Sequence, residues 1–461
     1  MEKKTYKKLK HIHMVGIGGT GMNGIAEVLL NLGYEISGTD LSKNEATHRL
    51  ARLGADITIG HKAEKVTGAD VVVISSAIKE NNVEVEEARR QKIPIIPRAE
   101  MLAEIMRLKN GIAIAGSHGK TSTTSMIAQI LEADGFDPTI IVGGRLNTLG
   151  AHGKLGAGDF MVAEADESDR SFLYLSPFIA VLTNLDEEHL DQYHTLDEIK
   201  RTFINFANKV PFYCPVILCL DDPNLQNLIP KLERRLITYG FSAQADIFAR
   251  EPKFQEFTST ALIYHKGNPL GTLNLNVPGI HNIYNAMAAM AVGLDLDISP
   301  EVALNALEEY RGIGRRFELK AEVNNIMLIE DYAHHPTEIH TTLEAAKRGW
   351  SRRLIAVFQP HRYSRLSLLM KKFATAFNQA DVLITTEVYR AGENPISGVS
   401  GQVLYEEIQK YGHKNIYFEP DLNKIPSLIS QIIQPDDIIL FMGAGNIYTI
   451  IPEVEKILGG K

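Results

Sequence analysis

Cross-linking cysteines are nearly missing: the 461-residue chain has two, Cys214 and Cys219. Both belong with one expected strand, PVILCL, where the spacing is poor for a disulfide and no further ligands complete a zinc site. They read as buried free thiols in a reducing compartment. Long apolar runs are missing too, since no segment approaches the ~18 consecutive apolar residues of a membrane span. The basic start MEKKTYKKLK leads into HIHMVGIGG, where glycine breaks the apolar stretch too early for a secretory signal. Nor is there an excess of positive charge. Lys and Arg number 48 against 56 Asp and Glu, a formal net charge of −8, which gives no electrostatic reason to bind nucleic acid or an anionic membrane. Low-complexity tracts and short internal repeats are absent as well. With 44% hydrophobic and 23% charged residues, the expectation is a cytoplasmic globular protein acting on small molecules.

The length suggests about three domains at ~150 residues each. From His11 to Asn110, apolar segments (HIHMVGI, YEISGTD, ADVVVISSA, IPIIPRAEM) alternate with helical patterns such as MNGIAEVLLNLG. That rhythm predicts an α/β unit with a parallel sheet and helical crossovers. A second unit runs through FMVAEADESD, FIAVLTNLD and PVILCL to GIHNIYNAMAAMAVG and EVALNALEEY; a third restarts with IMLIEDYAHHP and continues through RRLIAVFQPHR, DVLITTEVY, NIYFEP and DIILFMGAG. Seams near Leu108–Gly111 and Arg311–Arg316 divide the chain into 1–109, 110–313 and 314–461.

The richest stretch is GIAIAGSHGKTSTT, Gly111 to Thr124. A buried strand would deliver a glycine loop, Gly116–Ser117–His118–Gly119, to a helix start, where backbone N–H groups converge on phosphate oxygens. Lys120 would then reach the β/γ-phosphates of ATP or GTP and Thr121 would hold Mg²⁺. The loop is a shortened variant, because Ile114 stands where the strict pattern has its first glycine.

In the first unit, GIGGTG (Gly16, Gly18, Gly19, Gly21) follows a strand and precedes a helix, with Asp40 ending the next strand. This pattern suits close approach to a diphosphate: NAD on its own terms, or a UDP-sugar when a separate ATP loop follows. Ser75, Ser76 and Arg98 follow strand ends, as ligand contacts or as caps and surface charge. In the second unit, EADESD and TNLDEEHLD place carboxylates at two strand ends, including Glu164, Asp166, Glu167, Asp169, Asp186, Glu188 and Asp191, a hard oxygen set suited to Mg²⁺. His189 among them is a ligand or a cation. Asn282 and Asn285 open a helix, either reading an adenine edge or, for Asn282, capping it. In the third, Arg315 and Arg316 suit phosphate, and EDYAHHPTE (Asp331, His334, His335, Glu338) and QPHRYSR (His361, Arg362, Arg365) make cationic strand ends that favour an anionic substrate over a metal.

Taken in order, GIGGTGM, RAEML, GSHGKTSTT, EADESD, NLDEEHLD, GIHNIYNA, GIGRRF, DYAHHPTE and QPHRYSR resemble the Mur ligase family, ATP-dependent amide-forming enzymes of bacterial cell-wall synthesis, over essentially the whole chain. Ser117 and Ser122 depart from the family's usual threonines but keep the hydroxyl. The resemblance implies a Rossmann-like N-terminal domain binding UDP-sugar, a central P-loop ATPase-like domain and a Rossmann-like C-terminal domain. It implies ATP with Mg²⁺, in two ions, and UDP-N-acetylmuramate and L-alanine as the substrates of a monomer or weak homodimer. By the same likeness Lys120 serves the γ-phosphate; Thr121, Glu167 and His189 the metal; and Asn282 with Asn285 the adenine. Arg316 and Asp331 would complete the ATP site, with His335, Arg362 and Arg365 near the acceptor carboxylate and the incoming amino acid, where His189 also contributes. The alternatives are a recycling ligase that adds a preformed tripeptide, a nicotinamide oxidoreductase using Gly16–Gly21 and Asp40, and a non-catalytic nucleotide switch.

Overall fold

The computed structural model describes residues 9–75, 77–146, 151–188 and 192–460, with the backbone alone for Thr20, 143–146 and 151–152. Ser76, His189 and Asp191 lie outside the described residues. No helix among the described residues is long and apolar enough to cross a membrane.

The N-terminal sheet begins with β1 (His11–Val15), α1 (Thr20–Asn31), β2 (Glu35–Asp40), α2 (Glu45–Arg52), β3 (Asp56–Ile59) and β4 (Val71–Ile74). It ends with α3 (Val83–Arg90), β5 (Ile95–Pro97) and α4 (Arg98–Met106). Strand order is β3-β2-β1-β4-β5 with every pair parallel, so the order reverses beside β1 and opens a crevice at the strands' carboxyl ends. Two details differ from expectation. IPIIPRAEM divides at Pro97 into a short strand and a helix, and DITI is a strand that its brevity and charged flank conceal.

The central elements are β6 (Asn110–Ala115), α5 (Lys120–Ala133), β7 (Thr139–Leu146), β8 (Ala151–Lys154), β9 (Phe160–Glu164), β10 (Ile179–Leu182), α6 (Leu196–Ala207), β11 (Pro215–Cys219) and α7 (Pro223–Gln226). They continue with β12 (Arg235–Gly240), β13 (Ile247–Gln255), β14 (Thr258–His265), β15 (Asn268–Leu275), α8 (Ile280–Asp295) and α9 (Pro300–Glu308). The sheet order is β15-β14-β13-β12-β11-β10-β6-β9-β7-β8, with β6 between the parallel strands β9 and β10. Ile112 to Ala115 have no exposed surface, which is why β6 reads as one unbroken apolar run. Cys214 and Cys219 are free and buried, as their spacing suggested. Against the first sheet, β8 meets α1 backbone to backbone: a Cβ on Gly153 would stand 2.6 Å from the Gly24 carbonyl oxygen.

The C-terminal elements are β16 (Glu318–Val323), β17 (Ile326–Asp331), α10 (Pro336–Gly349), β18 (Leu354–Phe358), α11 (Tyr363–Thr375), β19 (Val382–Thr385), α12 (Gly401–Lys410), β20 (Ile416–Phe418), α13 (Ile425–Ile432), β21 (Ile438–Met442) and α14 (Ile451–Leu458). Order is β16-β17-β21-β18-β19-β20, parallel except for the antiparallel edge strand β16. Strand geometry sends alternate residues to opposite faces. Accordingly Leu354, Ala356 and Phe358 enter one core while Ile355 and Val357 enter the other.

By internal contacts the chain forms two compact units. The first holds Met1–Arg250, Leu262–Leu273 and Tyr284–Tyr310; the second holds Glu251–Ala261, Asn274–Ile283 and Arg311–Lys461.

Candidate active site

In the first unit the phosphate loop hangs between β6 and α5. Gly116 has φ +142°, and a Cβ there would lie 2.0 Å from Thr183 Oγ1 and about 3 Å from the Asn184 backbone, so only glycine fits. Gly119, the N-cap of α5, has φ +80° and faces Asn285 Oδ1. The end of β10 clamps the loop. Ser117 N–H donates to Asn184 O (3.2 Å) and His118 N–H to Asn184 Oδ1 (2.8 Å). The Asn184 amide and the Thr183 hydroxyl both donate to the His118 carbonyl, at 3.0 and 2.7 Å. The Ser117 and His118 amides are therefore used inside the protein. Helix geometry leaves the next amides, in the first turn of α5 at Lys120, Thr121 and Ser122, without intrahelical acceptors, and the helix dipole favours negative charge there.

Lys120 folds over its own loop, donating to the carbonyls of Gly116 and Ser117 and, at 2.8 Å, to Glu167 Oε1. Burial disfavours the ammonium, but the Glu167 and Asp166 carboxylates outweigh it and raise the Lys120 pKa. Glu167, only 3% exposed, is pushed up to about 7 by burial, against the pull of Lys120 and with help from Asp166. The backbone of this acidic turn is held by Tyr193, whose hydroxyl donates to Glu167 O at 2.6 Å. Asp166 in turn accepts from Arg98 Nη2 at 3.0 Å, a link from the start of α4 to the end of β9. Gly21 makes room for that arginine, since a Cβ there would be 2.6 Å from Arg98 Nη1. His118 Nε2 lies 3.5 Å from Asp186 Oδ2. Asn285 Oδ1 accepts from the Thr123 hydroxyl at 3.2 Å, which ties α8 to α5.

The glycine loop after β1 is organised by β2. Thr39 O accepts the Gly16 and Ile17 amides at 2.8 and 3.0 Å, and Asp40 Oδ2 accepts the Gly18 amide at 2.9 Å. Ser75 Oγ lies 3.4 Å from where a Gly16 Cβ would stand, beside the loop.

The second unit brings its charged strand ends together around β17. Asp331 is 5% exposed and accepts from the Phe317 amide (2.8 Å) and the Ala333 amide (2.7 Å). Burial pushes its pKa up to about 6, against the neighbouring Arg316. Arg316 packs over the Tyr332 ring at 5.3 Å and pairs with Glu338 Oε1 at 3.4 Å. Burial works against its charge, and Glu338 and Asp331 hold it above the ordinary value. His335 is wholly buried as the N-cap of α10, its Nδ1 accepting from the Thr337 amide, while Glu338 closes a capping box onto the His335 amide. Arg365 Nη1 contacts His361 Nδ1 at 3.1 Å, and the His361 ring stacks on Tyr389. Burial, with His334, Arg365 and Arg362 beyond it, lowers His361 to about 3, so this ring is neutral at physiological pH. Arg362 holds φ +69°, a conformation rare for arginine and typical of constrained sites. Asn282 turns back on its own helix start, its amide donating to Pro278 O at 2.8 Å.

Three family descriptions match in order along the chain: the Mur ligase family catalytic domain over residues 11–110, the Mur ligase middle domain over 114–293 and the Mur ligase glutamate ligase domain over 315–445. The chain belongs to the Mur ligase family. It is similar to the UDP-N-acetylmuramate--L-alanine ligase of Geotalea daltonii, at 54% identity over 442 residues covering 96% of each chain. The protein of that description from Geobacter sulfurreducens is 52% identical, again over 96% of each chain. Among solved structures, the UDP-N-acetylmuramate-alanine ligase of Thermotoga maritima superposes with a TM-score of 0.84 at 29% identity, covering 98% of this chain and all of that one. A murein peptide ligase from Psychrobacter arcticus gives 0.72 at 26% identity, covering 98% and 99%. The three-domain α/β architecture expected from the motifs is the Mur ligase fold: a parallel N-terminal sheet followed by two mixed sheets.

Within this Mur ligase, motif reading missed the loop clamp of Thr183 and Asn184, whose positions it assigned only to an acidic run. It also missed Thr39, whose carbonyl anchors the glycine loop. Neither carries a charge or a spacing rule, so the only available signal was a polar residue closing an apolar strand.

Proposed function

We propose that the protein is an ATP-dependent ligase that joins L-alanine to the lactyl carboxylate of UDP-N-acetylmuramate in cytoplasmic peptidoglycan precursor synthesis, acting as a monomer or weak homodimer. Its domains divide at residues 109/110 and 313/314. The observation that carries the reading is the partly buried Lys120–Glu167 pair at the start of α5, in a chain matching ligases of that description along 96% of its length.

A carboxylate is a poor electrophile, so it must be activated. One of its oxygens attacks the γ-phosphorus of ATP, the bond to ADP breaks and an acyl phosphate forms. The L-alanine amine then attacks the carbonyl carbon, loses a proton, and expels phosphate to leave the amide. Phosphoryl transfer of this kind is accelerated mainly by positioning and charge neutralisation. Lys120, held protonated, supplies positive charge to the γ-phosphate beside the first-turn amides of α5, with Gly116, Ser117, His118, Gly119, Thr121 and Ser122 shaping the cradle. Arg316, oriented by Tyr332 and Glu338, serves phosphate as well, with Asp331 holding the turn at Phe317. Asn282 and Asn285 serve the adenine. Arg362 and Arg365 bind carboxylate, and His335 shapes their surroundings as the cap of α10.

The chemistry of the donor set fits Mg²⁺: the buried Glu167 carboxylate beside Asp166, with the Thr121 hydroxyl at the helix start, offers hard oxygens next to a phosphate cradle. Thr121, Glu167 and His189 are the proposed ligands, with two ions in all. Bound there, Mg²⁺ would neutralise phosphate charge. On the diphosphate side, Gly16, Gly18, Gly19, Gly21, Asp40, Ser75, Ser76 and Arg98 form the proposed UDP-sugar edge.

Isotope transfer tests the order of steps. With ¹⁸O in the lactyl carboxylate, one labelled oxygen should appear in the released phosphate; unlabelled phosphate would reject the acyl phosphate. Parallel assays with the tripeptide L-Ala-γ-D-Glu-diaminopimelate in place of L-alanine should give little ADP.

A further inference from the structure

Glu84 sits in the first turn of α3 with no exposed surface, an expensive place for a carboxylate unless donors surround it. Donors do. Its Oε2 accepts from the Thr39 hydroxyl at 2.7 Å and meets His61 Nδ1 at 3.2 Å, with His13 Nε2 3.9 Å away; its Oε1 accepts the Lys62 amide at 3.1 Å. Burial alone would raise its pKa, but His13, Thr39 and the Lys62 amide outweigh burial and lower it, so Glu84 is ionised at neutral pH. Behind it, Ser37 Oγ bridges His11 Nε2 and His13 Nδ1, both at 2.7 Å.

What Glu84 holds matters more than how it is held. Thr39 is fully buried near the end of β2, fixed sideways by its hydroxyl to Glu84. Through its carbonyl it is also the shared acceptor of the Gly16 and Ile17 amides. The next residue, Asp40, accepts the Gly18 amide through its side chain and the Gly60 amide through its carbonyl. Three successive amides of the glycine loop thus end on Thr39 and Asp40, and the turn after β3 is tied to the same carboxylate by His61 and Lys62. The loops following β1, β2 and β3 share one buried anchor on the carboxyl edge of the sheet, the edge where parallel sheets of this kind take their ligands.

We propose that Glu84 is a positioning residue for the UDP-sugar, acting through Thr39 to set the shape of the glycine loop Gly16–Gly21 before substrate arrives. The inference rests on the reading of that loop as the diphosphate site. Glu84 touches no substrate; it fixes the strand end from which the cradle hangs, and so its loss weakens binding at that loop while leaving the phosphoryl-transfer residues around Lys120 in place.

The cleanest probe is Thr39→Val, which keeps shape and burial but exchanges the hydroxyl for a methyl, removing its bond to Glu84 and its 2.9 Å contact with His61 Nδ1, with Thr39→Ser as the variant that restores it and Glu84→Gln as an independent cut that acts on the carboxylate alone. Expected for T39V is a rise of about tenfold in KM for UDP-N-acetylmuramate, equivalent to about 1.4 kcal/mol. KM for ATP and for L-alanine, and kcat, should stay within about twofold. T39S should return KM toward wild type, and E84Q should shift the same KM in the same direction. Calorimetric binding of UDP-N-acetylmuramate without ATP should weaken in parallel. Unchanged KM in T39V overturns the proposal, as does a change spread evenly over all three substrates and kcat, or a T39S variant that stays impaired. If wild-type protein releases no ADP with the three substrates, the ligase reading falls, and the calorimetric comparison alone then decides the tether; a wild type that binds no UDP-N-acetylmuramate overturns both.

Discussion

Lys120 and Glu167 show how one pair of side chains ties burial to chemistry. An ammonium with 18% of its side chain exposed keeps its proton because carboxylates stand beside it, and one of them, Glu167, is also a proposed Mg²⁺ ligand. Lys120→Ala should therefore lower ADP formation by at least about 10³-fold while leaving calorimetric binding of UDP-N-acetylmuramate unchanged; retained turnover would remove Lys120 from the phosphate site. Asp331 carries a pH signature. Its pKa rises from 3.8 to about 6 on folding, so between those values the native state keeps a proton that the unfolded chain has lost. The stability from this proton is complete below about pH 3.8 and gone above about pH 6, a span of about 3 kcal/mol. Denaturant titrations should show the advantage of wild type over Asp331→Asn shrinking as pH rises from 4.5 to 7. An advantage that grows over that range would contradict the assignment. These residues stand out in the sequence because charge and motif spacing mark them; Thr39 does not, and Thr183 and Asn184 stand out only as part of an acidic strand end, because their roles rest on backbone groups that neighbouring strands bring to them.

At the level of elements, the phosphate loop is shaped from outside. Its amides at 117 and 118 bond to Asn184, and Gly116 is pressed against Thr183 and Asn184 so closely that any side chain forces the end of β10 away. Gly116→Ala should cost about 2–4 kcal/mol through positive-φ strain and overpacking, read as a lower denaturant midpoint together with lost nucleotide binding. A variant of wild-type stability would mean that the loop relaxes freely. Buried parallel strands such as VVVI, IAIA and LIAVF were legible as continuous apolar runs, because both faces are covered. The strands β3, β7, β8 and β12–β16 were not recognised. Several of them are short or carry charged and polar residues on one face, and pairing with a neighbouring strand, which no local pattern records, is what makes them strands.

For the molecule as a whole, the chain does not pass from one unit to the other once. The segments Glu251–Ala261 and Asn274–Ile283 belong with the C-terminal residues, and Phe257 stacks edge-on against Trp350 at 4.9 Å beside Phe317. Trp350 is the only tryptophan and is 6% exposed, so its emission reports on this cluster. A fragment covering residues 311–461 should show red-shifted Trp350 fluorescence and a lower unfolding midpoint than the full chain. Native-like emission from the fragment would show that Phe257 is dispensable.

Nine ordered motifs, the alternation of apolar runs and helical stretches, and the identities of the charged residues were enough to assign three α/β domains, the family and the phosphate chemistry, since each depends on local pattern. Spatial assembly supplied the remainder. Glycine loops take their shape from carbonyls and side chains of other strands, Arg98 finds Asp166 across 68 positions of chain, and a buried glutamate in α3 gathers three loops. Such contacts join residues far apart along the chain, and their energies come from burial and hydrogen-bond satisfaction that exist only once the backbone has closed around them.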